Sequence, residues 1–250
     1  MATASAVPPQ ETAHLSEVQR VVNVFFSPSK TFTDLRRNAS WWGPFLLVVI
    51  VSIVYVAVVD QKVGFRKTVE NQLRTQPKQA DQLEKMSPED REKNMQARTT
   101  GAKYVSYGFP VILLIIWAVM AGLLYLTLKF GVSANVTFKA LFALVIYAGL
   151  PGLFKSLLAM LSLLAGVSGD SFTFQNPVAT NPGYFVDPTT NPVLYAFASS
   201  FDIFALWTMV LVAIGIACVA KVKSGTAYAV AFGWFAVAIL FGTGMAALFN

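Results

Sequence analysis

Apolar residues gather in five long runs, Phe45 to Val59, Val105 to Leu128, Leu141 to Ala165, Ala198 to Val219 and Ala227 to Phe249, with polar residues confined between them. A helix needs roughly 20 mainly apolar residues to cross the hydrocarbon core of a bilayer, so the pattern predicts five transmembrane helices. The runs lack the period-two alternation of a membrane barrel, and backbone amides in lipid must be satisfied within each segment. The predicted fold class is therefore all-α and polytopic, with a short helical extramembrane hairpin. Residues 21–249 form the five-span domain, with an insert at 60–103 and an outer loop at 167–191, and residues 1–20 are expected to be a disordered tail.

Ahead of the first span lies FFSPSKTFTDL. Ser27 and Pro28 read as N-cap and first residue of a helix on which Phe32 and Leu35 share a face, close to Phe26. That helix is expected to lie in the membrane interface, followed by Trp41 and Trp42 at the depth aromatic rings prefer, which makes Phe26, Pro28, Phe32, Leu35, Trp41 and Trp42 an interfacial anchor. No apolar stretch with a small-residue cleavage site precedes the first span, which is expected to act as an uncleaved anchor. In the insert, ten basic residues face seven acidic ones, and Ser87-Pro88-Glu89-Asp90 has the form of a helix start. Two or three short helices are expected there, the last running on into the second span.

Charge inside the apolar runs is the informative exception. Lys155 and Asp202 lie within the third and fourth runs, and a charge in a span is a functional hypothesis whose partner must be named. If the fourth helix starts at Asn191-Pro192 and the third ends near Gly166, both residues come to one depth, and an ion pair is expected. Pro151, four residues after Tyr147, removes a backbone hydrogen bond and should kink the third span. Small residues at helical spacing, Ala213 with Ala217 and Ala238 with Gly242 and Ala246, suit close helix packing.

Composition agrees, at 55% hydrophobic and 13% charged, with a mean hydropathy of +0.57. The net charge of +6 is not gathered into a basic patch interleaved with aromatics, so nucleic acid is not expected as a partner. A single cysteine, Cys218, and a single histidine, His14, leave no disulfide framework or metal-ligand spacing, and no metal or cofactor is expected. Gly166-Val167-Ser168-Gly169 is a GxSG string without a base for its serine, and Ser168 is expected to be a turn residue. Lys and Arg before the first span and around the turns after the second and fourth place the N-terminus in the cytoplasm and the C-terminus outside.

FFSPSKTFTDL, Trp41-Trp42 with Pro44, the five spans, and Tyr147 ahead of Pro151 together resemble the Yip-domain family, whose eukaryotic members are Rab-interacting membrane proteins of the early secretory pathway. The resemblance implies a five-span protein with a cytoplasmic N-terminus, and it does not imply an enzyme. The Asp-Leu-Tyr-Gly-Pro segment of the eukaryotic trafficking members is missing, so the resemblance points to a bacterial relative in the cell membrane. The expected role is a non-catalytic organiser or adaptor, with the lipid bilayer and other membrane proteins as partners. The alternative is a small transporter or channel subunit using the polar groups of the third and fourth spans.

Overall fold

A computed structural model of the chain describes residues 14–249, and residues 1–13 of the tail expected at 1–20 lie outside the described residues. Among the described residues, five helices are long and apolar enough to cross a membrane. The chain first forms α1 (Glu17–Phe26) and α2 (Pro28–Asp34), then the first span α3 (Trp42–Lys62). Two short helices follow, α4 (Phe65–Arg74) and α5 (Pro77–Glu84), before α6 (Pro88–Leu126), which starts as a polar helix and continues as the second span. Ser87 caps α6 by accepting from the Asp90 amide, with Glu89 and Asp90 in the first turn.

The third span is broken in two. α7 (Phe138–Ala148) and α8 (Gly152–Leu164) are separated by a turn at Gly149, Leu150 and Pro151, where the proline has no amide to continue the ladder. Gly149 has a second reason to be glycine, because a Cβ there would lie 3.0 Å from the Trp117 ring of α6. α9 (Pro192–Ser199), α10 (Ile203–Ala220) and α11 (Ser224–Phe249) complete the chain.

By connectivity the bundle has two ends. One carries the turns at 132–137 and 221–223, with Lys139, Lys221 and Lys223, and is called the basic end; the other carries α4, α5 and the 165–191 loop. α3 packs along α8, α6 along α7, and α10 against both α7 and α11. Gly215 permits the close α7–α10 approach, since a Cβ there would meet the Leu144 side chain at 2.7 Å.

The segment before the first span departs from expectation. Order begins before residue 21: a capping box of Ser16 and Gln19 starts α1, and Arg20 is buried. Pro28 does open α2, but the Ser27 side chain makes no cap hydrogen bond. Phe32 and Leu35 are fully buried and pack with Val24 in the main core rather than facing an interface. α2 lies on α10, and Phe25 at the hairpin tip meets Phe154 and Trp207 edge-on at 5.3 and 5.7 Å. α1 and α2 are thus a helical hairpin wedged into the bundle from its basic end. Phe26 and Trp42 are exposed, and Trp41 packs on Phe45 and Phe142.

The fourth span also starts later than expected. α9 ends at Ser199, and after a break at 200–202 Asp202 becomes the N-cap of α10, its carboxylate accepting from the Phe204 amide at 2.9 Å. Asp202 is therefore at a helix start, not eleven residues into one.

Candidate functional site

Two polar clusters are built inside this apolar bundle. Towards the basic end, Arg20 is 1% exposed although it carries a full charge. Its Nε and Nη2 reach Asp34 Oδ2 at 2.8 and 2.7 Å, and its Nη1 reaches Glu17 Oε1 at 3.3 Å. The Thr31 hydroxyl donates to the Arg20 carbonyl at 3.0 Å. Tyr147 donates its phenol proton to Glu17 Oε2 at 2.7 Å, which ties the hairpin to α7 directly ahead of the Pro151 break. Gly43 at the head of α3 makes room for that carboxylate, because a Cβ would lie 2.5 Å from Glu17 Oε2. An arginine fork satisfied by two carboxylates is the arrangement by which a buried guanidinium escapes most of its desolvation cost.

Towards the opposite end, Lys155 Nζ donates to Asp202 Oδ2 at 2.9 Å, with side-chain exposures of 23% and 8%. The same carboxylate oxygen accepts from the Thr180 hydroxyl and, at 3.4 Å, from Asn181 Nδ2. The Ile203 amide donates to the Thr180 carbonyl, so the loop is stitched to the head of α10. Asn181 in turn exchanges hydrogen bonds with Asn176. Asp202 thus neutralises Lys155, caps α10 and holds the loop at once.

A group of aromatic rings packs where the hairpin tip meets α8 and α10. Phe154 and Trp207 stack at 5.7 Å with an interplanar angle of 6°, and Phe204 stacks on Phe154 at 6.3 Å. Phe25 closes against the Phe154–Trp207 pair from the hairpin tip. Along α7–α8, Phe154 falls between Tyr147 of the Arg20 cluster and Lys155; Phe154 is exposed and Phe25, Phe204 and Trp207 are half-buried.

Of the residues singled out from sequence, the structure brings Lys155 and Asp202 together and sets Pro151 at the break. Tyr147 belongs to the other cluster. Glu17, Arg20, Asp34, Thr180, Asn181 and Asn176 were not foreseen. The Ser16–Gln19 capping box was a legible signal for α1, and it would have placed Glu17 and Arg20 one turn apart on a helix. Ser168 is a turn residue, its hydroxyl accepting from the Asp170 amide and donating to the Asp170 carboxylate. Lys67 of α4 reaches Asp170 at 2.9 Å and, with the Ser168 hydroxyl, holds its carboxyl below the usual range. Among the described residues, no three His, Cys, Asp or Glu side chains converge as a metal site would require.

A five-helix membrane bundle with a re-entrant N-terminal hairpin is the class this architecture defines. The Yip1 domain family model matches residues 22–246, and the chain belongs to that family. It is also similar to membrane protein YknW of Bacillus subtilis (strain 168), with 26% identity over 229 residues covering 91% of this chain and 87% of the relative. No solved structure matches the chain.

Proposed function

We propose that this protein is a non-catalytic scaffold of a bacterial cell membrane that binds other membrane proteins through its fifth span. One observation carries the reading: 56% of the apolar window of the third span is buried within the protein, against 11% for α11. α11 commits Ala227, Ala231 and Ile239 to its neighbours and leaves Ala238 and Gly242 exposed beside Leu240 and Phe241. A Cβ on Gly242 would meet nothing within 4 Å. Small residues on an uncovered helix face let a partner's backbone approach closely in lipid, where the hydrophobic effect gives helices no reason to associate.

The transporter alternative needs inward-facing polar groups in series along a pathway. The charged groups are instead held in local pairs, Arg20 by Asp34 and Glu17 and Lys155 by Asp202, which favours a structural role. The basic end suits the cytoplasmic side, with Lys30, Arg36 and Arg37 before the first span and Lys129, Lys139, Lys221 and Lys223 at the turns. Arg20 drops out of that count because it is buried as an ion-pair partner.

Capture of the tagged protein from native membranes tests this. A membrane-protein partner should co-purify in fixed ratio with the wild-type chain and be lost from Ala238→Leu and Gly242→Leu variants that keep the wild-type melting temperature. Recovery of the chain alone, or a partner retained by both variants, would count against the scaffold.

A further inference from the structure

The basic end holds cations that no carboxylate answers. Arg36 lies in the turn by which the hairpin leaves the bundle and Lys221 in the turn between α10 and α11, and both side chains are exposed. Glu17 and Asp34, the acids nearest to Arg36 along the described chain, are already held by Arg20. From Lys93 to Gly169, and again beyond Asp202, the chain has no Asp or Glu. Neither turn of the basic end therefore brings an acid of its own.

The two cations share one cavity of about 430 Å³, where the end of the hairpin meets the 132–135 turn and the C-terminus of α10. Its size suits a small molecule or a lipid head. Ser133 and Asn135 add neutral hydrogen-bonding groups to the lining, Val132 and Val222 add an apolar side, and none of the described lining residues is acidic. Among the described residues, the non-glycine residues with positive φ are Ser133 at 55° and Lys221 at 54°, and both lie on this lining. Glycine is relaxed at such a φ and is the usual residue just past a helix end, whereas a side chain there costs energy. Lysine ends α10 at that cost and sets a charge on the cavity. The C-terminal carbonyls of α10 favour one cation at this point, but they give no role to Arg36.

Exposed aromatic rings mark the depth of the cavity. Trp42 at the head of α3, Phe130 just past α6, Phe138 at the head of α7 and Tyr228 near the head of α11 are all exposed on this side of the bundle. Such rings prefer the headgroup level of a bilayer, so the cavity opens where lipid phosphates lie. A zwitterionic head would bring an ammonium to a lining that has no carboxylate to receive it. A head whose phosphate is its sole charge meets only donors. We propose that this cavity binds the phosphodiester of one anionic phospholipid, with the Arg36 guanidinium and the Lys221 ammonium donating to its oxygens. The site shares no residue with the α11 face, so either can fail alone.

Native mass spectrometry of the full-length protein in an uncharged detergent, titrated with phosphatidylglycerol or phosphatidylcholine, gives the test. One phosphatidylglycerol should bind saturably and about tenfold more tightly than phosphatidylcholine, the effect of one charge-assisted hydrogen bond. Arg36→Gln and Lys221→Gly should each remove that preference. Lys221→Gly relaxes the backbone at a φ of 54° and should not lower the melting temperature, so its lost binding cannot be laid to misfolding. Lys223→Gln, which is off the lining, should bind as the wild type does. Equal affinity for the two lipids, a preference retained by Arg36→Gln or Lys221→Gly, or an equal loss in Lys223→Gln would overturn the site. Displacement of phosphatidylglycerol by inorganic phosphate alone would assign the cavity to a soluble phosphate and overturn the lipid.

Discussion

An Arg20→Met variant should lose about 3 to 5 kcal/mol of stability, because it strands two carboxylates that the bundle has taken out of water. Asp34 would suffer most, since its side chain is 9% exposed and two of the guanidinium nitrogens converge on its Oδ2. Glu17 is more accessible and keeps the Tyr147 hydroxyl. Replacing the pair as Arg20→Met with Asp34→Leu should recover most of the loss, for no buried charge then lacks a partner. Thermal unfolding in detergent, read beside proteolytic clipping of the N-terminal hairpin, measures both effects. If the single and double variants are equally stable, or the hairpin is clipped no faster in Arg20→Met, the cluster does not hold α1 and α2 in the bundle.

Asp202→Leu is the second large effect, again about 3 to 5 kcal/mol, and here the loss has three parts. Lys155 is left charged and unpaired, the Thr180 and Asn181 donors lose their acceptor, and α10 loses its cap at the Phe204 amide. Lys155→Met should cost less, because the carboxylate retains those other donors. The Lys155→Met, Asp202→Leu double variant should be more stable than the sum of the single losses predicts, by the coupling that a double-mutant cycle isolates. Strict additivity in membrane abundance and melting temperature would show that the two residues do not act as a pair.

What could be read from the chain was what local chemistry dictates. The five spans follow from run length, the α6 start from Ser87-Pro88-Glu89-Asp90, and the third-span break from a proline that has no amide to give. Lys155 and Asp202 could be paired because charges are rare in apolar runs and have few possible partners. The common depth assumed for that pairing does not hold, however: α9 ends at Ser199, and after the break at 200–202 Asp202 caps the next helix. An aspartate directly before an apolar run is an N-cap signature, and it outweighed the continuity assumed from Pro192.

The N-terminal hairpin was misplaced for a different reason. An apolar stripe such as Phe32 with Leu35 looks the same in sequence whether it meets lipid or the flank of α10. The Glu17–Arg20–Asp34–Tyr147 cluster joins residues 14 and 130 positions apart, as only packing can. Arg20, which reads from sequence as a topology signal, is instead a core residue.

A membrane scaffold should carry no solute of its own. Proteoliposomes containing the purified chain should show proton and potassium leak no greater than protein-free vesicles under an imposed gradient. Protein-dependent flux that disappears in Lys155→Met would contradict the scaffold and favour a transporter.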